Sequence, residues 1–315
     1  MQQKLVDASQ VSADQQDGFV AWQEMATIAK TSADEGDIGA ALEAQESAVM
    51  VAQEVFGDAH WITASSLRDL GYMYRQMGRS DEAEQFYSMA LTIAQQALGD
   101  DHPQTVEITG LIAELYEASS TFEEAGFLHE LMSASYSESL GSNHAFTLAT
   151  RLALARNYAS RGLYGQASEL LSGLCQLFAE SFGPYHLQSL DCVQQQASLL
   201  SDQDKLQEAE ALYTQLVAQM GASFAGLSAR VFDSLTQLSE VYRKQGRYSE
   251  AKELLAGVIN AGEQIGDVET AAHARSYLAR VFNNDGDFDR AELLTEEVLT
   301  YGQANWQSTP LNLLN

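Results

Sequence analysis

The chain is short of several things, and each shortage removes a class of protein. Proline occurs only three times in 315 residues. Long helices are therefore rarely interrupted, and a chain rich in Ala, Leu, Gln and Glu favours them. Cysteine occurs twice, at Cys175 and Cys192, a separation of 17. The pair fits neither a C-x-x-C motif nor a disulfide framework, so two buried, reduced thiols are expected. Basic residues number 17 against 44 acidic ones, for a formal net charge of −27. Such a chain repels a phosphate backbone, which argues against nucleic acid as a partner. No apolar run approaches the roughly 18 residues of a membrane-spanning helix, so no membrane is expected either. The opening "MQQKLVDASQVSADQQDG" has no basic stretch followed by an apolar core. The cytoplasm is the expected compartment, although a periplasmic chain stripped of its leader would read the same. There is no P-loop, no G-x-G-x-x-G, no H-E-x-x-H and no Ser/His/Asp or Cys/His order. Neither enzyme activity, nor a cofactor, nor a metal is expected.

What the sequence does have is a repeat. "FGDAH", "LGDDH", "LGSNH" and "FGPYH" end at His60, His102, His144 and His186, in steps of 42. A second marker keeps the same time, ending on Ala41, Ala83, Ala125, Ala167, Ala209, Ala251 and Ala291, with five steps of 42 and a last one of 40. Within a unit the apolar residues recur at helical spacing. Leu67, Leu70, Gly71 and Tyr74 form one set, and Ala83, Tyr87, Ala90 and Leu91 the next. Offsets of three, four and seven put each set on one helix face. Gly78 and Gly99 fall where a helix end needs positive φ. Each unit therefore reads as helix, turn, helix. The marker alanine lets the second helix approach the first, while Tyr74, Tyr116, Tyr158, Tyr242 and Phe282 fill the space beside it. One such pair has too little apolar surface to fold alone, so neighbours must stack into a solenoid.

These small and large residues, in this order along a helix pair, resemble tetratricopeptide repeats. The 42-residue length with "LG-x-x-H-P-x-T" between units is similar to the kinesin light chain subtype. The resemblance runs over roughly residues 18 to 304. It departs at Ser32 in unit one, at Leu200 and Asp204 in unit five, and at the joint "MGASFAGLSAR". It implies an all-α solenoid of about seven units forming a right-handed superhelix, whose first helices line a concave groove. It also implies a protein or peptide partner and no catalytic residues. The expected layout is a polar tail over residues 1–16, the solenoid over 17–305, and over 306–315 a tail or the start of a capping helix. Phe19, Trp22, Met25 and Ile28 on the first helix are expected to pack inward.

Two features compete with this reading. Four histidines could ligate zinc, but one solenoid step of about 10 Å separates each from the next, while zinc holds its ligands at about 2 Å. Capping of the following helix is the expected role. Asp100 and Asp101 are adjacent, and a solvated place near a helix N-terminus suits them better than acid–base work.

The basic residues are more informative. The repeat pattern places Lys30, Arg68, Arg75, Arg156, Arg243, Lys244 and Arg280 on the groove. It also places there Asp34, Glu107, Glu114, Glu117, Asp191, Asp202, Asp233 and Glu240. The groove is then near neutral and the acidity lies elsewhere. Arginine suits bidentate recognition of carboxylates, and Tyr72 between Arg68 and Arg75 offers a stacking surface. Ion pairing along the helix face explains the same residues equally well.

Three functions follow. The first is an interaction scaffold gripping acidic or C-terminal carboxylate groups of a peptide with Arg68, Tyr72, Arg75, Arg156, Arg243, Lys244 and Arg280. The second is a self-assembling protein, a homo-oligomer joined through the apolar end that carries Trp306, Leu311, Leu313 and Leu314. The third is a sensor arm for a separate effector enzyme, hinged at Gly221, Gly226, Gly262 and Gly266.

Overall fold

The computed structural model describes residues 15–223 and 228–305. The C-terminal residues from Trp306 onward, Gly226 and nearly all of the N-terminal tail lie outside that set. Among the described residues there are fourteen α-helices and no strand. They come as seven pairs, one per repeat. In the first three repeats these are α1 (Gln16–Asp34) and α2 (Ile38–Phe56), α3 (Trp61–Gln76) and α4 (Ser80–Leu98), and α5 (Pro103–Ala118) and α6 (Phe122–Ser139). The fourth and fifth are α7 (Ala145–Ser160) with α8 (Tyr164–Phe182), and α9 (Leu187–Asp202) with α10 (Leu206–Ser223). The last two are α11 (Ser228–Lys244) with α12 (Tyr248–Ile265), and α13 (Val268–Asp285) with α14 (Phe288–Asn305). Odd-numbered helices are called A helices here and even-numbered ones B helices.

The chain forms two compact units, residues 1–147 and 148–315. In each, helices pack on their sequence neighbours, the contact pattern of a solenoid. The marker alanines lie inside that packing. Ala83, Ala125, Ala167, Ala209 and Ala251 are all fully buried. A larger side chain there would have to displace its packed neighbours. Gly71 shows the same constraint from the other side, because a Cβ on it would stand 2.8 Å from the Tyr87 ring and 3.2 Å from the Ala83 carbonyl oxygen. Leu67, Leu70, Ile108 and Ile112 close the core around Tyr87 in the first unit. Each such buried side chain contributes about 1.5–3 kcal/mol. In the second unit Tyr213, Leu216, Leu238 and Val241 do the same work.

The turns obey the repeat too. The residue closing the A helix has positive φ in every repeat: Gly36, Gly78, Ser120, Gly162, Asp204, Gly246 and Gly286. Ser120 and Asp204 hold φ near +61° and +62° without being glycine, so the fold imposes this turn even where the residue resists it. At the other joint His60, His102 and His186 are helix N-caps, each accepting from the backbone N–H two residues on through Nδ1. His144 makes the same bond to Phe146. Pro103 occupies the first turn of α5, where its missing N–H costs nothing. Asp100 and Asp101 are exposed, as expected, and Asp101 accepts a hydrogen bond from the Ser135 hydroxyl at 2.7 Å.

One expectation fails and another holds only in part. Cys175 and Cys192 are not free thiols; they form a disulfide joining α8 to α9. Two repeats earlier the same register positions hold Leu91 and Ile108, which share one core, so the stacking itself brings the cysteines together. Just before Cys175, α8 is broken at Ser172 (ψ 104°) and Gly173 (φ +94°). Nothing lies within 4 Å of a Cβ placed on Gly173, so the position needs glycine for its backbone angle and not for space. In α1, Phe19 and Trp22 are buried but Ile28 is 47 % exposed, because only one face of a terminal helix has a neighbour. The Trp22 indole N–H donates to the Ser66 hydroxyl at 2.8 Å, which satisfies its polar end. Gly262 lies buried inside α12, 3.1 Å at its would-be Cβ from the Asp267 carbonyl oxygen.

Candidate functional site

Arg68, Tyr72 and Arg75 stand at offsets of four and seven on α3 and so share a face. The Arg68 side chain is only 17 % exposed. Its Nε and Nη2 donate to Asp69 Oδ1 at 2.9 and 2.7 Å, and Nη1 lies 3.6 Å from Glu107 on α5. Arg75 donates to Glu114 on α5 at 2.7 Å. The two arginines thus tie one A helix to the next. Beneath Arg75 the Tyr87 hydroxyl is buried with no hydrogen-bond partner among the described residues. Burial pushes that phenol up to about 12, against the pull of Arg75. Tyr72 stands 47 % exposed between the two arginines. Lys30 is exposed on α1.

The second unit repeats the theme with different accounts of charge. Arg243 grips Glu240 with two bonds, Nε to Oε2 at 2.8 Å and Nη2 to Oε1 at 2.6 Å. Arg280 on α13 reaches the same Oε1 at 3.2 Å. Lys244 donates to the Ser201 carbonyl and hydroxyl, both at 3.0 Å, and lies 3.7 Å from Asp202. Burial pushes the Glu240 carboxyl up, but the Arg243 hydrogen bond and the charges of Arg280, Arg243 and Lys244 outweigh it and hold its pKa below the ordinary value. Arg156 on α7 is exposed, and among the described residues no acid stands in ion-pair range of it. Among the described residues five of the seven predicted cations are therefore ion-paired, and Lys30 and Arg156 are not.

One polar group was not singled out from the sequence. His129 on α6 is 4 % exposed, with Nε2 3.0 Å from Glu117 of α5 and, among the described residues, no partner for Nδ1. In the repeat register it takes the place of Tyr87 and Tyr213, and that substitution is the signal that could have marked it. Among the described residues no cluster of His, Cys, Asp or Glu comes together as a metal site.

This arrangement offers carboxylates and guanidinium groups on helix faces. Comparison with known proteins identifies the repeat. Two stretches, residues 24–96 and 63–130, match one tetratricopeptide repeat model, and residues 231–265 match another. The chain is a tetratricopeptide-repeat protein. Its repeats are similar to the nearly identical TPR-like repeats of a kinesin light chain-type protein from Podosopora anserina. That match has 25 % identity and a TM-score of 0.57, covering 62 % of this chain and 93 % of that one. A tetratricopeptide repeat protein from Parabacteroides merdae matches more of the length: 16 % identity and a TM-score of 0.65 over 93 % of this chain and 94 % of the other. The apo quorum sensor NprR of B. thuringiensis shares the fold at 17 % identity and a TM-score of 0.68, over 90 % of this chain and 76 % of that one. A search of curated proteins returned no match. Tetratricopeptide repeats are in general a non-catalytic, protein-binding scaffold. No helix among the described residues is long and apolar enough to cross a membrane.

Proposed function

We propose that this tetratricopeptide-repeat protein binds a peptide or an extended partner segment along the faces of its A helices, with acidic or carboxylate groups of the partner meeting the arginines there. The observation that carries the reading is charge placement. In a chain of formal net charge −27, Arg68, Arg75, Arg156, Arg243, Lys244 and Arg280 gather on A helices. Panning the folded protein against a random display library of about 12-residue peptides tests it, since a segment of that length, extended, spans several helices. Recovery of binders whose affinity falls with added salt is the expected result. A library that yields no binder would sink the proposal.

A second reading, self-association, has one observation in its favour. Phe288, Leu293 and Leu299 on α14 are 65 %, 56 % and 42 % exposed. Sedimentation of the full chain against one ending at Asn305 tests it, and two monomers would remove its support.

A further inference from the structure

Arg156 stands alone on α7, exposed and with nothing among the described residues that fixes its guanidinium, whereas the other five A-helix cations named above are held in place and are separated by their hydrogen bonds. Arg68 and Arg75 face three acids, Asp69, Glu107 and Glu114. Neither leaves a charge uncompensated. In the second unit Arg243, Lys244 and Arg280 face only two, Glu240 and Asp202. One positive charge is left over there, and the geometry says which residue carries it.

A guanidinium has five N–H donors and an ammonium three. Arg243 spends its Nε and Nη2 on Glu240, and its Nη1 donates to the Asn284 side-chain oxygen at 3.0 Å once that amide is turned to satisfy both its atoms. Lys244 spends itself on Ser201 and Asp202. Among the described residues Arg280 makes a single bond of 3.2 Å, to an oxygen that Arg243 already holds at 2.6 Å. Its side chain is 54 % exposed, against 17 % for Arg68 and 30 % for Arg75. Its guanidinium carbon sits 5.3 Å from the centre of the Tyr277 ring, which supports the group from one side.

We infer that Arg280, braced by Tyr277 and by the Arg243–Glu240 pair, is the anion anchor of this protein. It takes a carboxylate of an acidic peptide in its unspent Nε and Nη1 donors, while Arg68 and Arg75 are structural ties between α3 and α5. This rests on the peptide-binding reading and narrows it to one place on α11 and α13. A planar fork with free donors binds a carboxylate through two parallel bonds. An arginine already saturated by an acid must first break that pair.

The test uses the full chain labelled with 15N at the arginine Nε positions. It is titrated with a tetraglutamate peptide, and with tetraglutamine as control, at low ionic strength. Saturable movement of the Arg280 signal by tetraglutamate alone is expected, with those of Arg68 and Arg75 still. Arg280→Ala should weaken binding about tenfold or more, and Arg68→Ala with Arg75→Ala less than about twofold. Arg280 is exposed, so its substitution leaves the fold intact, which an unchanged helical melting curve verifies. Tetraglutamate bound equally well by the Arg280→Ala protein, or bound only while Arg68 and Arg75 are present, overturns the anchor but leaves peptide binding standing. If library peptides bind and tetraglutamate does not, the anchor falls alone. If neither binds, both proposals fall.

Discussion

Glu240 shows how much of the second unit's order hangs on one side chain. It is the acid that Arg243 and Arg280 share, and its side chain is 13 % exposed. Its pKa is lower in the folded chain than in the unfolded one. A depressed carboxyl stabilises the fold above its unfolded pKa, about 4.3 for Glu, and that contribution disappears as pH falls through the folded value. The prediction is a pH-dependent difference between the native chain and Glu240→Gln. The variant should melt lower at pH 7, and the gap should close as the pH is taken below about 4. A gap of the same size at both ends would show that Glu240 acts through packing and not charge. The sequence places the residue on the first helix of its repeat, which is where it lies. Its role was not legible there, because the partners come from two helices 40 residues apart, Glu240 on α11 and Arg280 on α13, and only their rotamers decide whether they meet.

At the scale of the helix, the repeat made most of the fold readable. Alanines at a fixed interval and breaks at a fixed offset place the A–B crossings and the turns without reference to a structure, and the buried Ala83, Ala167 and Ala251 sit where that register puts them. What the register did not carry is what a single repeat does differently. The break at Ser172–Gly173 occurs in α8, and no such break marks α2, α4 or α6. The disulfide was open to discovery. Had Cys175 and Cys192 been shifted back by two repeats, they would have landed on Leu91 and Ile108, two residues of one core. Counting cysteines in the linear chain hid a contact that counting in repeats displays. The bond closes a loop of 17 residues, and a cross-link of that span stabilises by about 3 kcal/mol through the unfolded chain. Urea unfolding of the oxidised protein against the same protein in excess dithiothreitol should show a loss of that order. Cys192→Ser should reproduce it and be insensitive to the reductant. Equal stability in both states would mean that the second unit does not depend on the bond. Since reducing compartments keep thiols apart, this measurement also says how the fold fares in each.

For the whole molecule the governing quantity is charge, and two effects of salt oppose one another. Ion pairs such as Arg75–Glu114 and Lys244–Asp202 are partly exposed, and screening weakens each by a small amount, since such pairs contribute about 0–1 kcal/mol. Against this stand 44 acidic residues and only 17 basic ones. Even if every cation found an acid, 27 carboxylates would be left repelling one another, which destabilises the compact state. Raising the salt from about 0.02 M to about 0.5 M shortens the screening length from over 20 Å to about 4 Å, below the spacing of one repeat to the next. The repulsion is long-ranged and falls away first, while contact pairs at 2.7 Å, such as Arg75–Glu114, lose less. The melting temperature at pH 7 should therefore rise, by a few degrees for about 1 kcal/mol of relief in a chain of this size. Peptide binding at Arg280 should weaken over the same range, because it depends on an exposed charge meeting an opposite one. Stability and binding would then move in opposite directions with a single variable. A melting temperature that falls with salt would assign the fold's electrostatics to its ion pairs instead.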